Sequence, residues 1–173
     1  VGTAQRARLE ETLGVAGERL VLVAMGGIGF ELPVARWPRT PGIRWLVGDA
    51  APAGRPDVTD YRPLGLHFSD LLASVDAVVT KPGYGMFAES AAAGTPLLYL
   101  RREDWPEQEA LIDWLEETAV CAEVPAADFA AGSFVPQLEA LWRRARRTHA
   151  ADGAAAAAGR LCELLARTVR AGS

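Results

Sequence analysis

Short, almost wholly apolar runs alternate with helix-like segments along this chain, and no other feature of the sequence restricts its fold as much. Residues 19–25 read RLVLVAM, a run without the polar alternation of a half-exposed strand. Such runs are typical of parallel strands that are buried on both faces of a sheet. The sequence therefore predicts an α/β domain in which helices cover both faces of a parallel sheet. About six strands are predicted, over residues 19–25, 43–47, 57–61, 76–80, 96–100 and 119–124.

Helix-like patterns separate these strands, and residues that favour helix ends mark their limits. Gly14 and Gly94 end two of the patterns, as is common for glycine at a helix C-terminus. Ser69 is the predicted N-cap of a short helix. Strands and helices alternate almost throughout the chain, and this order predicts a Rossmann-like fold. Helices are predicted over residues 4–13, 69–74, 86–93, 106–117, 134–147 and 154–169, and the last carries a predicted buried stripe of Leu161, Leu164, Leu165 and Val169.

The composition restricts function less than it restricts the fold. A length of 173 residues suits one domain, and the start at Val1 predicts a piece excised from a longer, two-domain protein. A net charge of −4 argues against nucleic acid as a partner, because phosphate binding needs a positive field. The two cysteines and two histidines lack zinc-like spacing, so we expect no metal and no cofactor. No run reaches the ~20 apolar residues of a membrane span, and we expect a cytoplasmic protein.

The first predicted strand runs into a glycine-rich segment, GGIG at residues 26–29. Glycines there let the main chain approach a phosphate closely, and a following helix start adds positive partial charge. A dinucleotide-binding fingerprint is one alternative, since Gly27 and Gly29 supply two of its glycines and Asp49 lies about twenty residues on. Leu32 stands in place of the third glycine, which disfavours that alternative. A tight turn without a ligand is the other alternative.

The fourth predicted strand runs into a second glycine-rich turn, Lys81-Pro82-Gly83-Tyr84-Gly85, and a helix follows it directly. Free N–H groups at that helix start would bind a diphosphate. Lys81, the single lysine of the chain, would add a mobile cation. Glu89, one turn into the helix, would accept two hydrogen bonds from a ribose diol. Glu107 and Gln108 begin the next predicted helix, where they would bind sugar hydroxyls.

Taken in order, these motifs resemble the C-terminal, donor-binding domain of family 28 glycosyltransferases of the GT-B architecture. That family includes the lipid II-forming N-acetylglucosaminyltransferase and the diacylglycerol glycosyltransferases. The resemblance covers nearly the whole chain and is most specific from residue 69 to residue 116. The motifs that carry it are Gly26-Gly27-Ile28-Gly29, Asp76, Lys81-Pro82-Gly83-Tyr84-Gly85, Glu89, Ala93-Gly94-Thr95-Pro96 and Glu107-Gln108.

The resemblance implies that the chain binds a nucleoside-diphosphate sugar, with a UDP-sugar favoured. The glycines would shape the cleft and present N–H groups to the diphosphate. Glu89 would bind the ribose, and Glu107 and Gln108 would recognise the donor sugar. The implied reaction is a metal-independent displacement with inversion, whose catalytic residues lie in an N-terminal domain outside this sequence. The candidate donor-binding residues are Gly26, Gly27, Gly29, Lys81, Gly83, Tyr84, Gly85, Glu89, Arg102, Glu107 and Gln108.

Tyr84 departs from the glycine of the family's usual turn. With tyrosine there, the turn also resembles glycosyltransferase-like domains fused to sugar kinases, which implies a non-catalytic sugar-nucleotide-binding module as an alternative. Half of a sugar-nucleotide epimerase is a second alternative, because such enzymes share the two-domain plan. His67 is a conceivable base, although a packed residue is the favoured interpretation.

One pair and one run of basic residues lie outside these motifs. Arg101 and Arg102 end the fifth predicted strand and face the presumed cleft, with an ion pair to Glu103 or Asp104 as the alternative interpretation. The run at residues 143–147 is interpreted as a solvated helix face, with attraction to an anionic membrane as the alternative.

Overall fold

Six parallel strands form one sheet. The computed structural model describes residues 2–26 and 32–171. The strands are β1 (Arg19–Val23), β2 (Ile43–Val47), β3 (Val58–Asp60), β4 (Ala77–Thr80), β5 (Leu97–Tyr99) and β6 (Cys121–Glu123). They follow the order β3-β2-β1-β4-β5-β6, and every neighbouring pair is parallel. The predicted Rossmann-like parallel sheet of about six strands is confirmed.

Helices cover both faces of the sheet. In the described residues they are α1 (Arg6–Leu13), α2 (Phe68–Ser74), α3 (Tyr84–Ala93), α4 (Gln108–Thr118), α5 (Ala126–Ala131), α6 (Val135–Trp142) and α7 (Gly153–Ala171), with 3-10 turns at Pro33–Arg36 and Arg62–Leu64. Helices α1 to α4 pack on one face around Leu72 and Phe87, among other buried side chains. On the other face, α5, α6 and the first 3-10 turn surround Trp37, Trp45 and Phe134, whose rings meet edge to face.

Several helix starts differ from the sequence predictions by one or two residues, and those of α2 and α3 are the most informative. The N-cap of α2 is His67 rather than Ser69, because the imidazole Nδ1 accepts the N–H of Ser69 and the helix begins at Phe68. The same nitrogen lies 2.8 Å from Ser69 Oγ. Histidine was not expected there because Ser, Thr, Asp and Asn are the residues that most favour this position. Helix α3 begins at Tyr84, two residues earlier than predicted, directly after Gly83.

The chain between β6 and α7 differs most from the prediction. Helix α5 was not predicted, and α6 ends at Trp142 rather than at residue 147. The basic run that follows is exposed, as predicted, but it is not a helix face. Instead it crosses the amino-terminal edge of the sheet, and its side chains donate hydrogen bonds to main-chain carbonyls. These bonds run from Arg144 to Cys121, from Arg146 to Val75 and from Arg147 to Glu117.

The side chains of α7 that the structure describes, those of residues 153–165 and 167, are exposed. Leu161 and Leu165 expose 61% and 66% of their surface, and Leu164 exposes 45%. The predicted burial is therefore wrong for Leu161 and Leu165, which belong to neither hydrophobic core. The side chain of Val169 lies outside the described residues. No helix in the described part of the chain has the length and apolarity to cross a membrane.

Asp76, directly before β4, joins α1 to the sheet. Its carboxylate accepts hydrogen bonds from Arg6 at 2.5 Å, from Arg19 at 2.9 Å and from the main-chain N–H of Leu20 at 2.8 Å. Burial raises the pKa of Asp76, but these hydrogen bonds outweigh burial, so the pKa lies below its ordinary value. Asp76 belongs to a motif of the resemblance, and in this structure it stabilises the amino-terminal edge of the sheet.

Candidate ligand site at the carboxyl edge of the sheet

The direction in which the chain crosses the sheet reverses between β1 and β4, and this reversal creates a crevice at the carboxyl edge. The chain leaves β1 towards β2 and leaves β4 towards β5, so the two connections diverge. Ligands of open α/β sheets bind at such a switch point. Gly26 follows β1 and Lys81 follows β4, and a Cβ built on Gly26 would lie 3.8 Å from Lys81 Cε. The structure thus brings these two residues together, whereas Gly27 and Gly29 lie outside the described residues.

Hydrogen bonds fix the main chain at the walls of the crevice. The buried Thr80 hydroxyl donates to the Ala24 carbonyl at 2.6 Å, and the Ala24 N–H donates to the Val79 carbonyl at 3.0 Å. The Leu100 N–H donates to the Thr80 carbonyl at 2.9 Å. Gly26 has a φ of 74°, in the left-handed region that favours glycine. The position of each wall is therefore set by the sheet itself.

Helix α3 begins at one wall of the crevice with its first N–H groups uncapped. Its N-cap, Gly83, has no side chain that could accept a hydrogen bond, and the Phe87 N–H donates to the Gly83 carbonyl. The N–H groups of the first turn therefore lack an intrahelical acceptor and carry the positive end of the helix dipole. A Cβ on Gly83 would meet nothing closer than 3.9 Å, and one on Gly85 would meet nothing within 4 Å. Packing within the chain does not require glycine at either position.

Two charged side chains accompany this helix start. Lys81 is half-buried, and no carboxylate of the described residues forms an ion pair with it. Glu89 is exposed one turn into α3 and has no hydrogen-bond partner in the same part of the chain. Residues four apart share a helix face, so Glu89 lies on the face of Gly85. Along the chain from Lys81 to Glu89, a cation and a carboxylate that have no partner among the described residues therefore lie on either side of uncapped N–H groups.

The loop between β5 and α4 is clamped by Gln108. The buried amide of Gln108 accepts the Arg102 N–H at 2.8 Å and donates to the Arg102 carbonyl at 2.5 Å. The Arg102 guanidinium lies over the ring of Trp105, 5.2 Å from its centroid, and 3.6 Å from Asp104. The alternative of an ion pair with Asp104 is therefore present in the structure. Arg101 points elsewhere and pairs with the carboxylates of α4 and β6.

A hydrogen bond that the sequence did not reveal joins the starts of α3 and α4. The Tyr84 hydroxyl donates to Glu107 Oε2 at 2.6 Å, and this bond raises the pKa of Tyr84. The Tyr84 ring packs edge to face on Trp105, with centroids 5.6 Å apart. Below this contact a cleft of about 530 Å³ runs between the two helices. Its lining is mostly apolar and comprises Tyr84, Ala88, Glu107, Ala110, Leu111 and Trp114.

The described residues offer neither a free His67 side chain to act as a base nor a cluster of metal ligands. His67 is engaged as the N-cap of α2, which agrees with a structural role. Residues 2–26 and 32–171 contain no cluster of three histidine, cysteine or acidic side chains that would hold a metal ion. The predicted donor-binding residues that the structure describes therefore lie in two neighbouring groups: one at Gly26, Lys81 and the start of α3, and one at the start of α4.

The strand order and the crevice at its switch point define a Rossmann-like α/β domain. Comparison with solved structures shows which proteins share this fold. The chain has the fold of a glycosyltransferase domain. The glycotransferase of kitacinnamycin superposes on it with a TM-score of 0.58 over 74% of this chain, at 18% sequence identity. The glycosyltransferase SnogD from Streptomyces nogalater covers 87% of the chain with a TM-score of 0.45, at 16% identity.

These comparisons concern the fold, since the sequences have diverged widely. The chain spans only 36% of the kitacinnamycin glycotransferase and 44% of SnogD. No protein-family model matches the chain, and no curated protein matches it.

Proposed function

We propose that the chain binds a nucleoside-diphosphate sugar, with a UDP-sugar favoured, as the donor half of an inverting, metal-independent glycosyltransferase. One observation carries the proposal. Gly26 and Lys81, which forms no ion pair with a described residue, meet at the switch point of the sheet, beside the uncapped N-terminus of α3. Positive charge and free N–H groups at such a point favour a diphosphate. The shared fold with a glycosyltransferase supports the choice of a sugar nucleotide.

Each part of the donor has a partner in this proposal. The N–H groups from Gly83 to Gly85, together with Lys81, bind the diphosphate, and the Glu89 carboxylate accepts hydrogen bonds from the ribose. Glu107 accepts a hydrogen bond from the sugar. As the bond to the anomeric carbon breaks, negative charge grows on the departing diphosphate, and the helix start stabilises that charge. The attacking hydroxyl loses its proton to a base outside this chain.

The carboxyl end of β2 supports a sugar nucleotide over a dinucleotide. A dinucleotide would place a ribose there, against an acidic residue. Asp49 stands at that position, but its carboxylate lies 3.8 Å from the guanidinium of Arg62. The Tyr61 side chain covers the adjacent main chain so closely that a Cβ on Gly48 would lie 2.7 Å from its hydroxyl.

A partner domain is part of the proposal. The chain spans about a third of the kitacinnamycin glycotransferase, and Leu161 and Leu165 of α7 are exposed. An exposed apolar helix face usually marks an interaction surface. We place an N-terminal domain of the same protein on this face, where it brings the acceptor site and the catalytic base. This chain alone is then expected to bind the donor without transferring the sugar.

A second candidate function is a non-catalytic sugar-nucleotide module, and Tyr84 favours it. A tyrosine in this turn is the form of the glycosyltransferase-like domains that accompany sugar kinases. Such a module would bind the same ligand through the same residues. The two candidate functions therefore differ only in whether the sugar is transferred to an acceptor. A second Rossmann-like half in the same protein would support the enzyme, and a sugar kinase in the same protein would support the module.

Calorimetric titration tests the proposal. The chain is titrated with UDP-glucose, GDP-glucose, dTDP-glucose and NADH, with and without Mg²⁺. We expect one of the sugar nucleotides to bind, with an affinity that does not require Mg²⁺. Binding of NADH in preference to every sugar nucleotide would contradict the proposal and favour the dinucleotide alternative. If none of the four nucleotides binds, the glycine-rich segments are to be interpreted as tight turns without a ligand.

Gly85→Ala is expected to change stability and binding in opposite directions. Alanine favours a helix more than glycine does, and a Cβ at residue 85 meets no protein atom within 4 Å. The free energy of unfolding should therefore rise by about 0.5 kcal/mol. Cβ atoms lean towards the helix N-terminus, so this methyl group would obstruct the diphosphate, and we expect donor affinity to fall about tenfold, or ~1.4 kcal/mol.

The matched control for this substitution is Gly159→Ala in α7. Gly159 is also helical and exposed, and a Cβ there likewise meets nothing within 4 Å. It should stabilise the chain to a similar extent and leave donor affinity unchanged. Equal donor affinity in Gly85→Ala and the wild type would place the diphosphate away from the start of α3.

A further inference from the structure

We infer that the Tyr84 side chain determines which donor sugar the chain accepts, by holding the Glu107 carboxylate in one orientation. The inference rests on the proposed function and specifies its sugar end. The Tyr84 hydroxyl donates to Glu107 Oε2 at 2.6 Å. Glu107 Oε1 has no hydrogen-bond partner among residues 2–26 and 32–171. One oxygen of the carboxylate is therefore held by the phenol, and the other is free to accept a hydrogen bond from a sugar hydroxyl.

The phenol is itself held in place by a series of contacts. The Tyr84 and Trp105 rings meet at 87° with centroids 5.6 Å apart, and the Arg102 guanidinium covers Trp105. Both hydrogen bonds of the Gln108 amide fix the main chain of Arg102. Tyr84 lies in the first turn of α3, whose end is anchored beside the crevice. The position of the Glu107 carboxylate is thus tied to the helix start that binds the diphosphate.

This arrangement makes Tyr84 a specificity-determining residue rather than a catalytic one. Glu107 is exposed, and without the phenol its side chain would sample several rotamers. Ordering such a side chain on binding costs conformational entropy and so lowers the affinity. With one oxygen engaged, the carboxylate presents a single fixed acceptor. A sugar whose hydroxyl reaches Oε1 gains a hydrogen bond, and an epimer whose hydroxyl points away does not.

The experiment compares the nucleotide alone with its sugar conjugates. The wild-type chain, Tyr84→Phe, Glu107→Gln and the double variant are titrated with UDP, UDP-glucose and UDP-galactose. Phenylalanine keeps the ring contact and the main-chain N–H, and Tyr84 is 60% exposed, so folding should be unaffected. We expect Tyr84→Phe to leave UDP affinity unchanged and to lower the affinity of the preferred sugar conjugate by about three- to tenfold.

Two further readouts separate positioning from a general structural effect. Tyr84→Phe should also reduce the discrimination between UDP-glucose and UDP-galactose. The double variant should lose no more than Glu107→Gln alone, because the phenol acts only through that carboxylate. Tyr99→Phe is the matched control, since the hydroxyl of the buried Tyr99 in β5 likewise donates to a glutamate, Glu116 of α4, at 3.1 Å. It should leave both UDP affinity and sugar discrimination unchanged.

Three other outcomes would contradict either the inference about Tyr84 or the proposed function on which it rests. An equal loss of UDP and sugar-conjugate affinity in Tyr84→Phe would overturn the inference, because the phenol would then act on the helix start. Unchanged affinity and discrimination would overturn it as well. Failure of the wild-type chain to bind UDP or either conjugate would overturn the proposed UDP-sugar site itself, which distinguishes that failure from failure of the inference.

Discussion

Replacing Asp76 with alanine is expected to lower the free energy of unfolding by about 3 kcal/mol. The substitution leaves the buried N–H of Leu20 without its side-chain acceptor, and it removes the carboxylate that joins the guanidinium of Arg6 in α1 to the edge of the sheet. Removal of one partner from a buried, charged hydrogen-bond network is among the most destabilising single changes. Thermal unfolding followed by circular dichroism should show a midpoint about 10 °C lower.

Asp113→Ala is the control for this substitution. Asp113 is exposed on α4, and its carboxylate has no hydrogen-bond or ion-pair partner in the described part of the chain. Its replacement should change the midpoint by no more than about 2 °C, as is usual for an isolated surface side chain. Similar midpoints for the two variants would mean that the Asp76 network contributes little to stability.

The same carboxylate makes stability depend on pH. The pKa of Asp76 in the folded chain lies below the ordinary value of about 3.9. Its contribution is therefore complete above about pH 4 and is lost as the pH falls through the folded-state pKa. In that acid range the wild-type chain should lose stability more steeply than Asp76→Asn, whose amide does not titrate. Asp57, whose pKa is lowered by Arg55, acts identically in both proteins.

Glu89→Ala is expected to reduce donor affinity by about 10- to 100-fold while leaving the unfolding midpoint nearly unchanged. The carboxylate is exposed and has no partner among the described residues, so the fold does not depend on it. In the proposed site it accepts two hydrogen bonds from the ribose, and the expected loss corresponds to a total of about 1.4–2.8 kcal/mol for the pair at this exposed position. Isothermal titration with the preferred sugar nucleotide gives the affinity.

Glu117→Ala controls for the loss of one negative charge. Glu117 is exposed near the end of α4, at the opposite edge of the sheet from the crevice, and its carboxylate has no partner in the described residues. It should leave donor affinity within about twofold of the wild type, since exposed charges at such a distance are largely screened. An equal effect of the two substitutions would indicate a general electrostatic influence and remove Glu89 from the ribose.

The sheet was predictable because its signals are local. The apolar run at residues 19–25 and the glycine that follows it predict a strand whatever the rest of the chain does, and β1 occupies Arg19–Val23. Gly14 and Gly94 adopt the left-handed conformation at helix ends, as glycine at those positions predicts. The convergence of Gly26 and Lys81 followed from topology, since both stand after parallel strands.

The contacts of the site were less predictable because they join residues that are distant in the sequence. Nothing local to Tyr84 indicates its bond to Glu107, and nothing in the pattern of α4 shows that Gln108 clamps Arg102. The facing small residues Ala88 and Ala110, which leave room for the cleft, were the only available signal. Whether Gln108 also contacts the sugar stays a prediction.

The exposure of α7 could not be predicted from the sequence pattern either. Its spacing of leucines is that of a buried stripe, and periodicity reveals which residues share a face without revealing what covers that face. In this chain Leu161 and Leu165 remain exposed. The proposed function assigns the covering surface to an N-terminal domain of the same protein.

The most direct test of the donor site is a titration of the ¹⁵N-labelled chain with UDP-glucose, followed by the chemical shifts of the assigned main-chain amides. Binding at the crevice predicts that the largest changes occur at Lys81, at residues 83–85 and at Gly26, with smaller changes towards Glu89. Changes centred instead on Gly48 and Asp49, at the end of β2, would contradict a donor site at the start of α3 and would favour a dinucleotide-like mode of binding.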